Sequence, residues 1–182
     1  MKTRVLSTLL ACLSISVAHS DVLVGEELIQ PGISFKLRVT DRMEMTPDEH
    51  QLAVEKADFA LVAEANWSQD HEQSVPGNSP RGGFVPFLRI KVEIKNKTSG
   101  KISFVDLLPH LSMSRSMHYA RNIILPDGVG DKYEVAVSVS PPDQSDLSMG
   151  EGWRGAHGAR LFGVKQFKYG EVDLSRLRSE SD

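Results

Sequence analysis

Three stretches of the chain alternate apolar and polar residues with a period of two, a pattern that suits an extended strand with one buried face. In Ile33–Thr40, Phe35, Leu37 and Val39 alternate with Lys36, Arg38 and Thr40. In residues 84–96, Leu88, Ile90, Val92 and Ile94 alternate with Arg89, Lys91, Glu93 and Lys95. In Lys132–Ser140, Tyr133, Val135, Val137 and Val139 share one side. Residues 58–67 (DFALVAEANW) are apolar at most positions and read as a buried strand between polar connections. Residues 101–107, 119–125, 161–167 and 168–174 supply further short strands. Turn signals separate them: residues 96–100, Pro126-Asp127-Gly128 and Pro141-Pro142. Asn96-Lys97-Thr98 also fits a glycosylation sequon, although the tight turn explains the same residues. Residues 51–56 suit at most one helical turn. Residues 21–31 read as an exposed lead-in and 176–182 as a frayed tail. About seven or eight short strands without a long helix predict an all-β protein, an antiparallel β-sandwich of immunoglobulin-like type.

The start of the chain reads as an address. Lys2 and Arg4 precede a mostly apolar run from Val5 to Val17, which ends in Ala18-His19-Ser20. This is the pattern of a secretory signal peptide, so residues 1–20 are expected to be removed after Ser20. The run is too short to span a bilayer, and no membrane insertion is expected. Leu9-Leu10-Ala11-Cys12 loosely resembles a lipoprotein box, but the apolar run continues past Cys12. Cys12 is the one cysteine of the 182-residue chain. Cleavage after Ser20 leaves a single domain, 21–182, with neither disulfide nor thiolate, so any soft metal ligand in it must be Met or His.

Charge and motifs narrow the function. The chain has 21 basic and 24 acidic side chains. Loss of Lys2 and Arg4 leaves 21 − 2 = 19 against 24, a net charge of −5. There is no basic patch, so nucleic acid is not an expected partner. The sequence contains no phosphate-cradling glycine loop, no G-x-S-x-G and no H-E-x-x-H. Nothing marks Ser112, Ser114 or Ser116 as an activated nucleophile beside His110 and His118. No catalytic residue is assigned, and the chain is read as a non-enzyme.

Residues 107–122 (LLPHLSMSRSMHYARN) concentrate His110, His118, Met113 and Met117. Imidazole and thioether together suit copper, whereas calcium and magnesium take oxygen. His110 and His118 flank a turn-like SMSRS segment, and His157 lies in a second long polar loop, 143–159. These three imidazoles form a candidate metal site, with Met45, Met113, Met117 or Met149 available to complete it. Each also has an ordinary reading, a surface histidine or a core methionine.

Several segments share an order and spacing with one family. Met43-Glu44-Met45-Thr46-Pro47 is similar to an I-E-M-E-P motif, and residues 58–64 to a D-I-H-L-E-A-D strand. Residues 84–88 resemble W-V-P-Y-L. Leu108-Pro109-His110 falls at M-P-M, and residues 118–122 at H-Y-G-x-N. Pro141-Pro142 and the spacing of His157 to Gly163-Val164 also match. The chain thus resembles the periplasmic iron-transport-associated proteins, or Fe²⁺ transport proteins, that accompany high-affinity iron permeases in bacteria. The resemblance implies a periplasmic homodimer with its site near the dimer interface, binding copper and also iron or manganese, and an inner-membrane iron permease as partner. Carried over by position, the family's histidines fall on His118 and His157. The second methionine of M-P-M falls on His110 with a one-residue insertion, or on Leu111 without it. The histidine and glutamate of H-L-E fall on Ala60 and Val62, which cannot ligate.

The expected site is therefore His110, His118 and His157, with Met45 or Met113 as a further donor. Two readings follow. In the first, a divergent metal-binding protein supports high-affinity iron or copper transport across the inner membrane. In the second, an interaction module docks a permease or envelope partner and its metal site has degenerated. A ferroxidase ranks behind both, since no acid, base or electron path is evident.

Overall fold

The computed structural model describes residues 21–47, 51–70, 75–77, 79–113, 115–128 and 130–177. The predicted leader with Cys12, together with His50, His71, Ser114 and residues 178–182, lies outside them. Eight antiparallel strands carry the fold: β1 (Val22–Ile29), β2 (Ile33–Thr40), β3 (Phe59–Trp67), β4 (Arg89–Asn96), β5 (Ile102–Ser112), β6 (Ser116–Ile123), β7 (Lys132–Ser140) and β8 (Lys165–Asp173). They form one sheet in the order β1-β2-β3-β6-β5-β4-β7-β8. One short helix, α1 (Glu151–His157), lies between β7 and β8.

β5 joins the two flanks of the sheet. Its first part pairs with β4 up to Leu107, and from Leu108 it pairs with β6 instead. Pro109 has no N–H to donate and falls just past the point where pairing with β4 stops. The inward side chains of both flanks meet in one core that includes Phe35, Leu61, Ile90, Tyr119 and Val137. Phe35 of β2 stacks on Phe167 of β8 with ring centroids 6.1 Å apart. The two outer strands also approach each other. The Tyr169 hydroxyl donates to the Glu27 carboxylate at 3.2 Å. Gly25 has to lack a side chain, because a Cβ there would lie 2.2 Å from the Tyr169 ring. The sheet is thus nearly closed into a barrel.

The all-β, antiparallel expectation holds, with one continuous sheet; the pairing does not establish an immunoglobulin-like sandwich. Other expectations need correction. Residues 21–31 are not a lead-in, because β1 occupies most of them. β1 hides its period through a bulge between Leu23 and Gly25 and through half-exposure at the sheet edge. Residues 161–167 and 168–174 are not two strands but the approach to β8 and β8 itself, with Leu161 and Phe162 buried before it begins. Leu177, assigned to a frayed tail from the sequence, is fully buried in the core. The polar loop 143–159 holds α1, anchored by Trp153 against Trp67 at 6.2 Å. Asn96 serves the turn: its side chain is buried, accepts from the Thr98 and Ser99 amides, and donates to the Pro126 carbonyl.

Candidate metal centre

The β5–β6 hairpin sets His110 directly opposite His118. Directly paired residues point to the same face of a sheet. Their rings accordingly meet edge to face with centroids 5.1 Å apart. On the other side of β6, Ala120 pairs with Val62 and Asn122 with Ala60 of β3. The alternation of strands then puts His118, Ala120 and Asn122 on one face with Ala60 and Val62, away from the main core. Met45, Ala60, Val62 and Ala120 form a second small apolar cluster there, with Met43 packed against it. The Asn122 side chain fixes the Met43 backbone at both ends, accepting from its N–H at 3.0 Å and donating to its carbonyl at 2.8 Å.

His118 is fully buried. Its Nδ1 lies 2.9 Å from the Ser116 carbonyl oxygen, which can only accept, so Nδ1 carries the proton. Ser116 itself sits in the left-handed region at φ 58°. Burial pushes the His118 pKa below its ordinary value. The Ser116 bond opposes that shift, whereas the charges of His110 and Arg115 add to it. A neutral ring with a proton on Nδ1 leaves a lone pair on Nε2, and Nε2 is buried with no hydrogen-bond partner. A buried polar atom without a partner costs about 1–3 kcal/mol, and a bound metal removes that cost. A metal-ligating histidine commonly has the same arrangement, with its second nitrogen donating to a carbonyl.

Charged groups frame the pair. Arg115, in the hairpin turn, forms a two-pronged ion pair with Asp21 at 2.7 and 2.9 Å. Arg38 and Glu64 approach to 3.9 Å. A cleft of about 310 Å³ opens beside the hairpin, lined by Thr40, Arg42, Met43, Glu44, His110 and Arg115 among others.

Of the residues expected from the sequence, His110 and His118 are brought together, and Met45 is buried on the same face of the sheet. Met113 is fully exposed in the turn. His157 is exposed at the end of α1, its ring 4.8 Å from Trp153, and among the described residues it is not grouped with the histidine pair as a three-ligand set. Among the described residues, no three His, Cys, Asp or Glu side chains are grouped closely enough to hold a metal. Ala60 and Val62 lie beneath Met45. The sequence reading passed over Met43, which lines the cleft with His110. The signal was present, because Met43 and Met45 are alternate residues that reach the same cluster. Two imidazoles and a neighbouring thioether are a donor set that fits copper.

The fold has known counterparts. A copper-bound variant of P19 from Campylobacter jejuni is 23% identical with a TM-score of 0.68, over 85% of this chain and 98% of that one. Copper-reconstituted C. jejuni P19 is 23% identical with a TM-score of 0.69, over 85% and 97%. FetP of uropathogenic Escherichia coli strain F11 is 18% identical with a TM-score of 0.66, over 85% and 97%. At these identities the likeness shows a shared fold. No curated protein sequence matches the chain. The sequence profile of the Fe²⁺ transport proteins matches residues 18–173, nearly the whole chain, and the protein belongs to that family.

Proposed function

We propose that the protein is an exported, periplasmic copper-binding protein that supports high-affinity iron or copper transport across the inner membrane, with an iron permease as its partner. The observation that carries this reading is the buried, unpartnered Nε2 of His118, on a ring that meets the His110 ring edge to face. The relatives P19 and FetP, described as copper-bound, lend it chemical precedent. His118 and His110 supply two imidazoles, and the Met43–Met45 segment supplies a thioether. Copper is favoured over iron and manganese, which prefer oxygen donors, because among the described residues no carboxylate groups with the pair to hold a metal. His157 is exposed and apart from the pair within one chain, so its part in the site requires a second copy, in keeping with a homodimer whose interface adjoins the site.

Copper titration of residues 21–182 followed by calorimetry tests the reading. One site per chain is expected, lost in His118→Ala and weakened in His157→Ala. Unchanged affinity in the His118→Ala variant refutes the site. The second reading, a docking module, draws on the donor-free Ala60 and Val62 and on the exposed Leu111 and Met113 of the hairpin tip. It gains if wild-type protein binds no copper yet still binds the permease.

A further inference from the structure

We propose that the Met43 thioether is the third ligand beside His118 and His110, and that this set makes the site selective for Cu(I) over Cu(II), iron and manganese. The inference rests on the copper-binding reading and specifies which donor and which oxidation state it uses.

Position comes first. Asn122 bonds both ends of the Met43 peptide unit and also donates to the Leu52 carbonyl at 3.0 Å. Asn122 is two residues past Ala120 and four past His118 on one face of β6, so Met43 is tied to the face that carries the imidazole. Met43 is half-buried and lines the cleft that His110 lines. Met45 is buried among Ala60, Val62 and Ala120, a cluster that Met43 also touches, but it does not line the cleft, and Met113 stands in solvent.

Selectivity follows from the donors. Thioethers are soft and select Cu(I), whereas imidazole is indifferent among copper, zinc and iron. Manganese, and to a lesser degree Fe(II), needs hard oxygen donors; Asp41 and Glu44 line the same cleft, but among the described residues no three His, Asp or Glu side chains are grouped to hold a metal. The nearby carboxylate of Glu64 faces Arg38, and Glu44 is exposed.

The test is anaerobic competition titration of residues 21–182 with Cu(I) and Cu(II), alongside Met43→Leu and Met45→Leu, with a copper K-edge absorption spectrum of each loaded protein. Met-to-Leu conserves volume, so the fold should survive. Wild type is expected to hold Cu(I) at least about tenfold more tightly than Cu(II), with a sulfur neighbour in its spectrum. Met43→Leu should lose about tenfold in Cu(I) affinity together with the sulfur signal, and Met45→Leu should change affinity by less than about threefold. A wild-type spectrum without sulfur, a Met43→Leu protein that keeps wild-type Cu(I) affinity, or equal affinity for both oxidation states overturns the inference while leaving copper binding intact. Wild type that takes up neither form overturns the copper reading itself, and this inference with it.

Discussion

Asp21 and Arg115 show how single residues hold the hairpin in place. Both side chains are mostly buried, and one guanidinium nitrogen donates to both oxygens of the carboxylate. Burial alone would raise the Asp21 pKa. The Thr40 hydroxyl and the Arg115 guanidinium outweigh burial and hold the carboxyl below its ordinary value. A carboxylate whose folded pKa is depressed stabilises the fold above its unfolded pKa, near 3.8, and loses that contribution as pH falls through the folded value. Asp21→Asn should therefore cost about 1.5 kcal/mol at neutral pH and make less difference as the pH falls below the ordinary carboxylate range. Urea denaturation of both proteins across that range checks it, and an equal gap at all pH values would rule out the ion pair as the cause. The same reasoning at His118 explains what could be read there in advance. The sequence exposed the residue type and its spacing to His110. It could not show which nitrogen the Ser116 carbonyl would occupy, and that choice is what leaves Nε2 bare.

At the scale of elements, the β5–β6 hairpin is tied to the rest of the molecule by its own core face. Tyr119, next to His118, points the opposite way and is fully buried. Its hydroxyl donates to the Val85 carbonyl at 2.7 Å and accepts from the Leu88 amide at 2.9 Å. Burial pushes its pKa up to about 12, so the hydroxyl stays a donor at any physiological pH. Tyr119→Phe leaves a buried N–H and a buried carbonyl without partners and should destabilise by about 2 kcal/mol. Hydrogen exchange of the Leu88 amide should accelerate in that variant; if it does not, the hydroxyl is not what satisfies it. β5 was legible only in its first half, where the turn at residues 96–100 leads out of β4. Its second half carries a proline and an exposed Leu111, and it became a strand because β6 supplied a partner.

At the scale of the molecule, Gly25 and Tyr169 govern how nearly the sheet closes. Gly25→Ala puts a carbon where the Tyr169 ring lies, so the ring must move and give up its bond to Glu27. The expected cost is about 1–3 kcal/mol, and Tyr169→Ala in the same background should show a smaller additional cost than it does in wild type. Denaturant midpoints of the two single variants and the double variant measure this, and strict additivity would argue against the contact. By itself, the sequence determined that the chain is β-rich, where β2, β3 and β7 run, that its soft donors are histidines and methionines, and the family it resembles. Those properties are local, set by side-chain period and residue type. Tertiary structure decided the rest. It placed β1 at an edge, paired His110 with His118, left His157 ungrouped with them among the described residues, and tied the Met43 backbone to Asn122, 79 residues away. Each of these depends on which strand becomes another's neighbour, and that choice comes from burying one shared core rather than from any local pattern.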